Sequence, residues 1–198
     1  MSEVDEEKIA TYFSSHGLST TRFSKNEQQS GKTPDFRASV NGNLIAYCEV
    51  KSIVRDSWLV RLFAKAVPGK IVGGLRDDPV FNRLTDDVHT AAQQFDAVNL
   101  QCTVPNILAL VNHDRNCGFL DLLAILTGNF IGTEGTIPIY RRFSEGRIHD
   151  EKSRIHLYIW LDDFRPTRLL FSRTNLEHHC LLCHLFGFDD TELRNIDS

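Results

Sequence analysis

Three residues stand out by type and spacing. Asp35 follows Pro34, and after thirteen intervening positions Glu49 and Lys51 flank Val50 at the end of an apolar run. Two carboxylates and an ammonium brought to one point have a definite chemical use. Opposed carboxylates repel unless a divalent cation lies between them, and Mg²⁺ takes one or two carboxylates together with water and phosphate oxygens in an octahedral shell. The Val50 carbonyl is a further candidate ligand. A lysine beside such a cation positions or deprotonates the attacking water, or steadies a pentavalent phosphorus. Such a group suits metal-assisted hydrolysis, with phosphate oxygens among the ligands the metal can take.

The elements that must position these groups are two short strands. Residues 35–40 alternate, with Asp35, Arg37 and Ser39 on one face and Phe36, Ala38 and Val40 on the other. Asn41-Gly42-Asn43 is a turn signal, because Asn and Gly tolerate positive φ. Residues 44–51 then begin with an apolar stretch, as in a strand covered on both faces until its last positions. An antiparallel hairpin is expected. A three-residue loop at 41–43 sets Val40 against Leu44 and Asp35 against Glu49, with Tyr47, Glu49 and Lys51 sharing the face of Asp35. A two-residue Asn-Gly turn would oppose Asp35 to Cys48 instead, unless a bulge restored the phase. The three-residue loop is the expectation taken here.

With Pro34-Asp35, the hairpin and Glu49-Val50-Lys51 in place, the chain resembles the PD-(D/E)XK nuclease superfamily. The resemblance covers roughly residues 3–113 and implies an α/β protein of restriction-endonuclease-like fold. That fold has an αβββαβ core with a mixed central sheet flanked by helices, here followed by a C-terminal αβ extension. It implies a metal-dependent nuclease using Mg²⁺ or Mn²⁺, a phosphodiesterase of the endo- or exodeoxyribonuclease type, with DNA preferred over RNA as substrate. Asp35, Glu49 and the Val50 carbonyl would hold the metal, and Lys51 would serve the attacking water. Many members carry a Gln on the helix after the E-x-K strand, and Gln94 fits that position where Gln93 does not. Several families have a first-helix acid that joins the metal site; Glu7, or Glu6 beside it, matches, though favourable charge at a helix start accounts for both. The competing reading is a catalytically silent protein of this fold that binds nucleic acid or a partner as an assembly subunit. A homodimer is expected from the task of cutting both strands of a duplex.

Composition sets the frame. The 198 residues are 41% hydrophobic and 24% charged, as in an ordinary globular chain, and are expected to form a nuclease core at 1–113 with an extension at 114–198 packed on it. No apolar run approaches a membrane span, and the acidic start is unlike a signal peptide. Five scattered cysteines suit a reducing cytoplasm, where the protein is expected. The net charge of −4 does not advertise a nucleic-acid binder, but residues 51–76 hold six Lys or Arg against Asp56 alone. That segment is either a phosphate-facing surface or a solvated loop.

Along the rest of the chain, residues 3–16 read as a helix closed by Gly17, residues 18–23 as a strand and 26–30 as a polar loop. Ser30-Gly31-Lys32-Thr33 imitates a phosphate loop, but lacks the earlier Gly and is followed by Pro34 and a strand, not a helix. A short helix is expected at 57–66, then Gly-rich punctuation. Residues 80–98 carry one apolar stripe and read as a long helix, and 104–111 as a buried strand. A helix at 116–127, a strand at 136–140, a basic loop at 141–147, strands at 155–161 and 168–171, and a helix at 176–186 follow. Cys180 and Cys183 sit among histidines, but no second cysteine pair exists to complete a zinc site. Cys48 points away from Glu49 and is expected in the core.

Overall fold

The structure is a computed structural model that describes residues 3–54, 80–133, 135–139 and 145–189, with Ala64, Val67 and Gly69 as isolated positions. The helix expected at 57–66, most of the basic run and the basic loop at 141–144 lie outside the described residues.

Five helices and eight strands are present among them. In chain order they are α1 (Glu3–Ser15), β1 (Ser19–Arg22), α2 (Lys25–Ser30), β2 (Phe36–Val40), β3 (Asn43–Ile53), α3 (Val80–Asn99) and β4 (Asn106–Asn112). Then follow α4 (Phe119–Thr127), β5 (Asn129–Gly132), β6 (Gly135–Pro138), β7 (Leu157–Asp162), β8 (Arg165–Phe171) and α5 (Leu176–Leu185). Six strands form one mixed sheet in the order β1-β2-β3-β4-β7-β8. The β1–β2, β2–β3 and β7–β8 pairs are antiparallel, while β3, β4 and β7 run parallel. The strands after residue 114 thus continue the sheet that carries Glu49, and β5 with β6 forms a separate hairpin.

Helices cover both faces, which is why β4 is buried along its whole length and apolar between its terminal asparagines. On one face, Ile9 and Phe13 of α1 and Leu182 of α5 pack on Ala38, Cys48, Val50, Ala109 and Ile159. On the other, Leu84, Val88, Ala91 and Phe95 of α3, with Leu122 and Ile125 of α4, pack on Ile53, Leu108, Leu110 and Trp160. Cys48 belongs to the α1 layer and is fully buried.

The β2–β3 turn corrects the expected loop. Asn41 (φ 51°) and Gly42 (φ 80°) alone form the turn, and Val40 faces Asn43. Two consecutive positive φ values give a turn whose twist matches the flanking strands, and Asn-Gly adopts them at least cost. The pairing shifts between Ala38 and Ser39, so that Ser39 faces Leu44 while Ala38 faces Ala46. This bulge restores the phase that the shorter turn would have lost. A second correction is α2, expected as loop: Ser24 and Glu27 form a capping box, each side chain bonding the other's backbone N–H, which starts a helix there.

Candidate active site

Main-chain direction along β3 organises the site. Tyr47 N–H donates to Pro105 O, and Ile53 O accepts from His113 N–H, so the odd-numbered residues of β3 bond towards β4. The N–H and C=O of Val50 therefore point to the opposite edge, towards β2. Regular β2 pairing ends at Phe36, opposite Cys48. Beyond it, the Asp35 carboxylate takes over: its Oδ2 accepts the Val50 N–H at 2.8 Å. Asp35 is thereby held at the position opposite Glu49, and the Val50 carbonyl is directed to that same edge.

Glu49 is fully buried. Its Oε1 accepts from Lys51 Nζ at 2.6 Å, while its Oε2 is buried and receives no N–H or hydroxyl bond, its carboxyl being hydrogen-bonded to that of Asp35. Burial first, and then the Asp35 charge, push Glu49 up to about 8, although Lys51 pulls the other way. Burial also raises Asp35, against the lowering effects of the Val50 N–H, Glu49 and Lys51. Two carboxylates this close and this dry do not both ionise, and the pair keeps a proton near neutral pH.

Lys51 Nζ donates a second bond to Gln94 Oε1 at 3.1 Å, and Gln94 Nε2 donates to Thr33 O at 3.0 Å. Gln94 thus joins α3 both to the lysine and to the loop that carries Asp35. Gln93 points elsewhere, exposed and bonded to Lys32 and His89. Asp87, two turns before Gln94 on the same helix face, is a half-buried carboxyl that sequence reading assigned no role. Burial raises it to about 6, against the pull of Lys51 and Arg83. Its seven-residue spacing from Gln94 was the available signal.

Glu7, the first-helix acid singled out from sequence, is exposed; its neighbour Glu6 is the acid that faces the site. Glu6 accepts from Arg22 at 2.8 Å and is raised by burial and then by the Asp35 charge. Glu6 lies three residues before Ile9 and seven before Phe13, which puts it beside the buried stripe of α1.

Among the described residues, no three His, Cys, Asp or Glu side chains cluster so as to hold a metal ion unaided. The donor set is two carboxylates and one main-chain oxygen. An oxygen-only set that leaves positions for water and phosphate suits Mg²⁺ or Mn²⁺, and such a cation would replace the proton that holds the two carboxyls together. In α5, Cys180 is exposed and Cys183 buried, the latter 3.6 Å from His179 Nε2, so the two thiols face different surroundings.

No family model matches this chain, and no curated protein or solved structure matches it. The chain is a mixed α/β protein with a six-stranded central sheet packed between helices. No helix among the described residues is long and apolar enough to cross a membrane.

Proposed function

We propose that this chain is a metal-dependent nuclease of the restriction-endonuclease-like class, hydrolysing phosphodiester bonds in DNA with Mg²⁺ or Mn²⁺. The observation that carries the reading is the opposition of Asp35 and a fully buried Glu49 that is bonded to Lys51, two carboxyls held together by a proton. Opposed buried carboxylates are costly to a fold, and a bound cation turns that cost into affinity.

Asp35, Glu49 and the Val50 carbonyl would hold the cation, which when bound supplies charge neutralisation and lowers the pKa of water. Lys51 hydrogen-bonds at the edge of the donor set, where it can orient the attacking water or accept a proton at Nζ. Gln94 keeps the Lys51 side chain extended towards Glu49. The Glu6–Arg22 pair adds one negative and one positive group beside Asp35.

The test is cleavage of circular DNA, linear DNA and RNA with Mg²⁺, Mn²⁺ or EDTA, using wild type, Asp35→Ala and Lys51→Ala after each is checked for folding. Metal-dependent cutting of DNA that both substitutions abolish is expected. Absence of cutting of any polymer, with metal-independent binding unchanged by either substitution, would replace this reading with a silent binding subunit.

A further inference from the structure

A second group of charged side chains lies at the C-terminal ends of the parallel strands, and it ties α1 to the sheet. His113 follows β4 directly, and its N–H is bonded to Ile53 O at 2.9 Å, so its backbone is fixed in the ladder. Its ring spans two carboxylates: Nε2 lies 3.0 and 3.1 Å from the two oxygens of Asp5, and Nδ1 lies 2.6 Å from Asp163 Oδ2. A neutral imidazole has one N–H and can donate to only one of them; the imidazolium donates to both.

Asp5 is the α1 end of this bridge and is 1% exposed. Its Oδ2 also accepts from Ser52 Oγ of β3. Lys8, one turn along α1, donates to Asp163 Oδ1 at 2.9 Å and lies 3.9 Å from Asp5 Oδ1. Among the described residues, the charged groups facing His113 are Asp5 and Lys8 from α1 and Asp163 from the β7–β8 turn. Two carboxylates outweigh one ammonium: burial opposes the charged ring, but the bonds from Asp5 and Asp163 raise His113 above its ordinary value. Asp163 moves oppositely, lowered by Lys8 and His113.

We infer that His113, Asp5 and Asp163 form a proton-dependent latch that fixes the first turns of α1 and so sets Glu6 beside Asp35. Glu6 is the next residue after Asp5, and it reaches the site through Arg22. Loss of the His113 proton removes a donor from one carboxylate. If Asp5 loses it, a buried carboxylate is left with Ser52 and the more distant Lys8. Because His113 is raised, the latch is closed below the ordinary histidine value and opens as pH rises through the raised one. The bearing of the latch on cleavage rests on the nuclease reading; the latch itself does not.

The experiment is hydrogen exchange of the α1 amides, with a parallel NMR titration of the His113 ring, on wild type, His113→Gln and Asp163→Asn. The expected result is a His113 midpoint above about 6.5, with α1 protection falling about tenfold across it after correction for intrinsic exchange. His113→Gln should show the lower protection at every pH, and Asp163→Asn should move the midpoint down. A midpoint at or below 6.5, or α1 protection indifferent to pH and to Asp163→Asn, overturns the latch. Asp163 is partly exposed, so its variant keeps the test decisive even where His113→Gln fails to fold. A working latch in a protein that cuts nothing would sink only the nuclease reading; metal-dependent cutting with an indifferent α1 would sink only the latch.

Discussion

The Asp35 carboxylate accepts the Val50 N–H at 2.8 Å, so a side chain completes the β2 edge of β3 where the main chain of β2 has ended. This bond places a carboxylate opposite Glu49 and leaves the Val50 carbonyl on the same edge. A cation held there should bind the folded chain alone. At a tenfold excess over its dissociation constant it would add about 1.4 kcal/mol of stability, a rise in melting temperature of roughly 3–6 °C for a chain of this size. Thermal unfolding with Mg²⁺ or Mn²⁺ should show that rise in wild type and lose it in Asp35→Asn and Glu49→Gln.

The proton held by the acid pair gives a pH dependence in EDTA. Glu49 is raised to about 8 from an ordinary 4.5, so the folded state retains a proton that the unfolded chain has released. Stability from this group is complete below 4.5 and lost as pH rises through about 8. Denaturant unfolding should show a decline across that window, flattened by Glu49→Gln and by saturating Mg²⁺. A profile unchanged by Glu49→Gln would refute the shared proton.

Lys51 and Gln94 should separate chemistry from binding. Lys51→Ala is expected to reduce cleavage by about a hundredfold or more, while the metal-dependent thermal shift persists. Gln94→Ala removes the bonds to Lys51 and to Thr33 O, costing about 1–2 kcal/mol, and should lower kcat more than it raises KM. Gln93→Ala should leave kcat unchanged. Equal effects of the two glutamine substitutions would contradict the geometry.

A histidine far from the site governs behaviour in acid. His156 is buried, its Nδ1 accepts the Asn106 N–H at 3.0 Å, and its ring meets that of His178 at 4.6 Å. Burial first and then His178 hold it down at about 4. Its contribution to stability is present above the ordinary histidine value of 6.5 and is lost as pH falls to about 4. The full loss is roughly 3 kcal/mol. Unfolding measured from pH 7 to 4 should show this, and His156→Gln should flatten it.

The turn that sets the hairpin phase is open to a backbone test. Gly42 has φ 80° and nothing within 4 Å of where a Cβ would stand. Gly42→Ala should therefore cost about 1 kcal/mol by backbone strain alone. Because the bulge at Ala38–Ser39 carries the register, the metal-dependent thermal shift should survive the substitution.

How far the sequence could be read follows from the range of the forces involved. Alternation in residues 35–40 and 44–51 is local, and it gave the two strands and their faces, while the pairing of Asp35 with Glu49 depended on the turn. The route differed: both the three-residue loop and the Asn-Gly turn with a bulge give that phase, and turn twist chose the second. The box from Ser24 to Glu27 is legible in the sequence as a serine three residues before a glutamate. The stripe of α3 located Gln94 on the correct flank, since helical angle depends on sequence spacing alone.

The sequence by itself determined the alternation of the two hairpin strands and the helix faces, because each follows from periods of 2 and 3.6 residues within one element. Only the tertiary structure decided that Gln94 closes on Thr33, that Glu6 and not Glu7 faces the site, and that Asp5, His113 and Asp163 meet. Those contacts join residues 61 and 108 positions apart, or turn on how α1 is rotated against the sheet. Packing of buried side chains sets that rotation, and the charges take the places that packing leaves them.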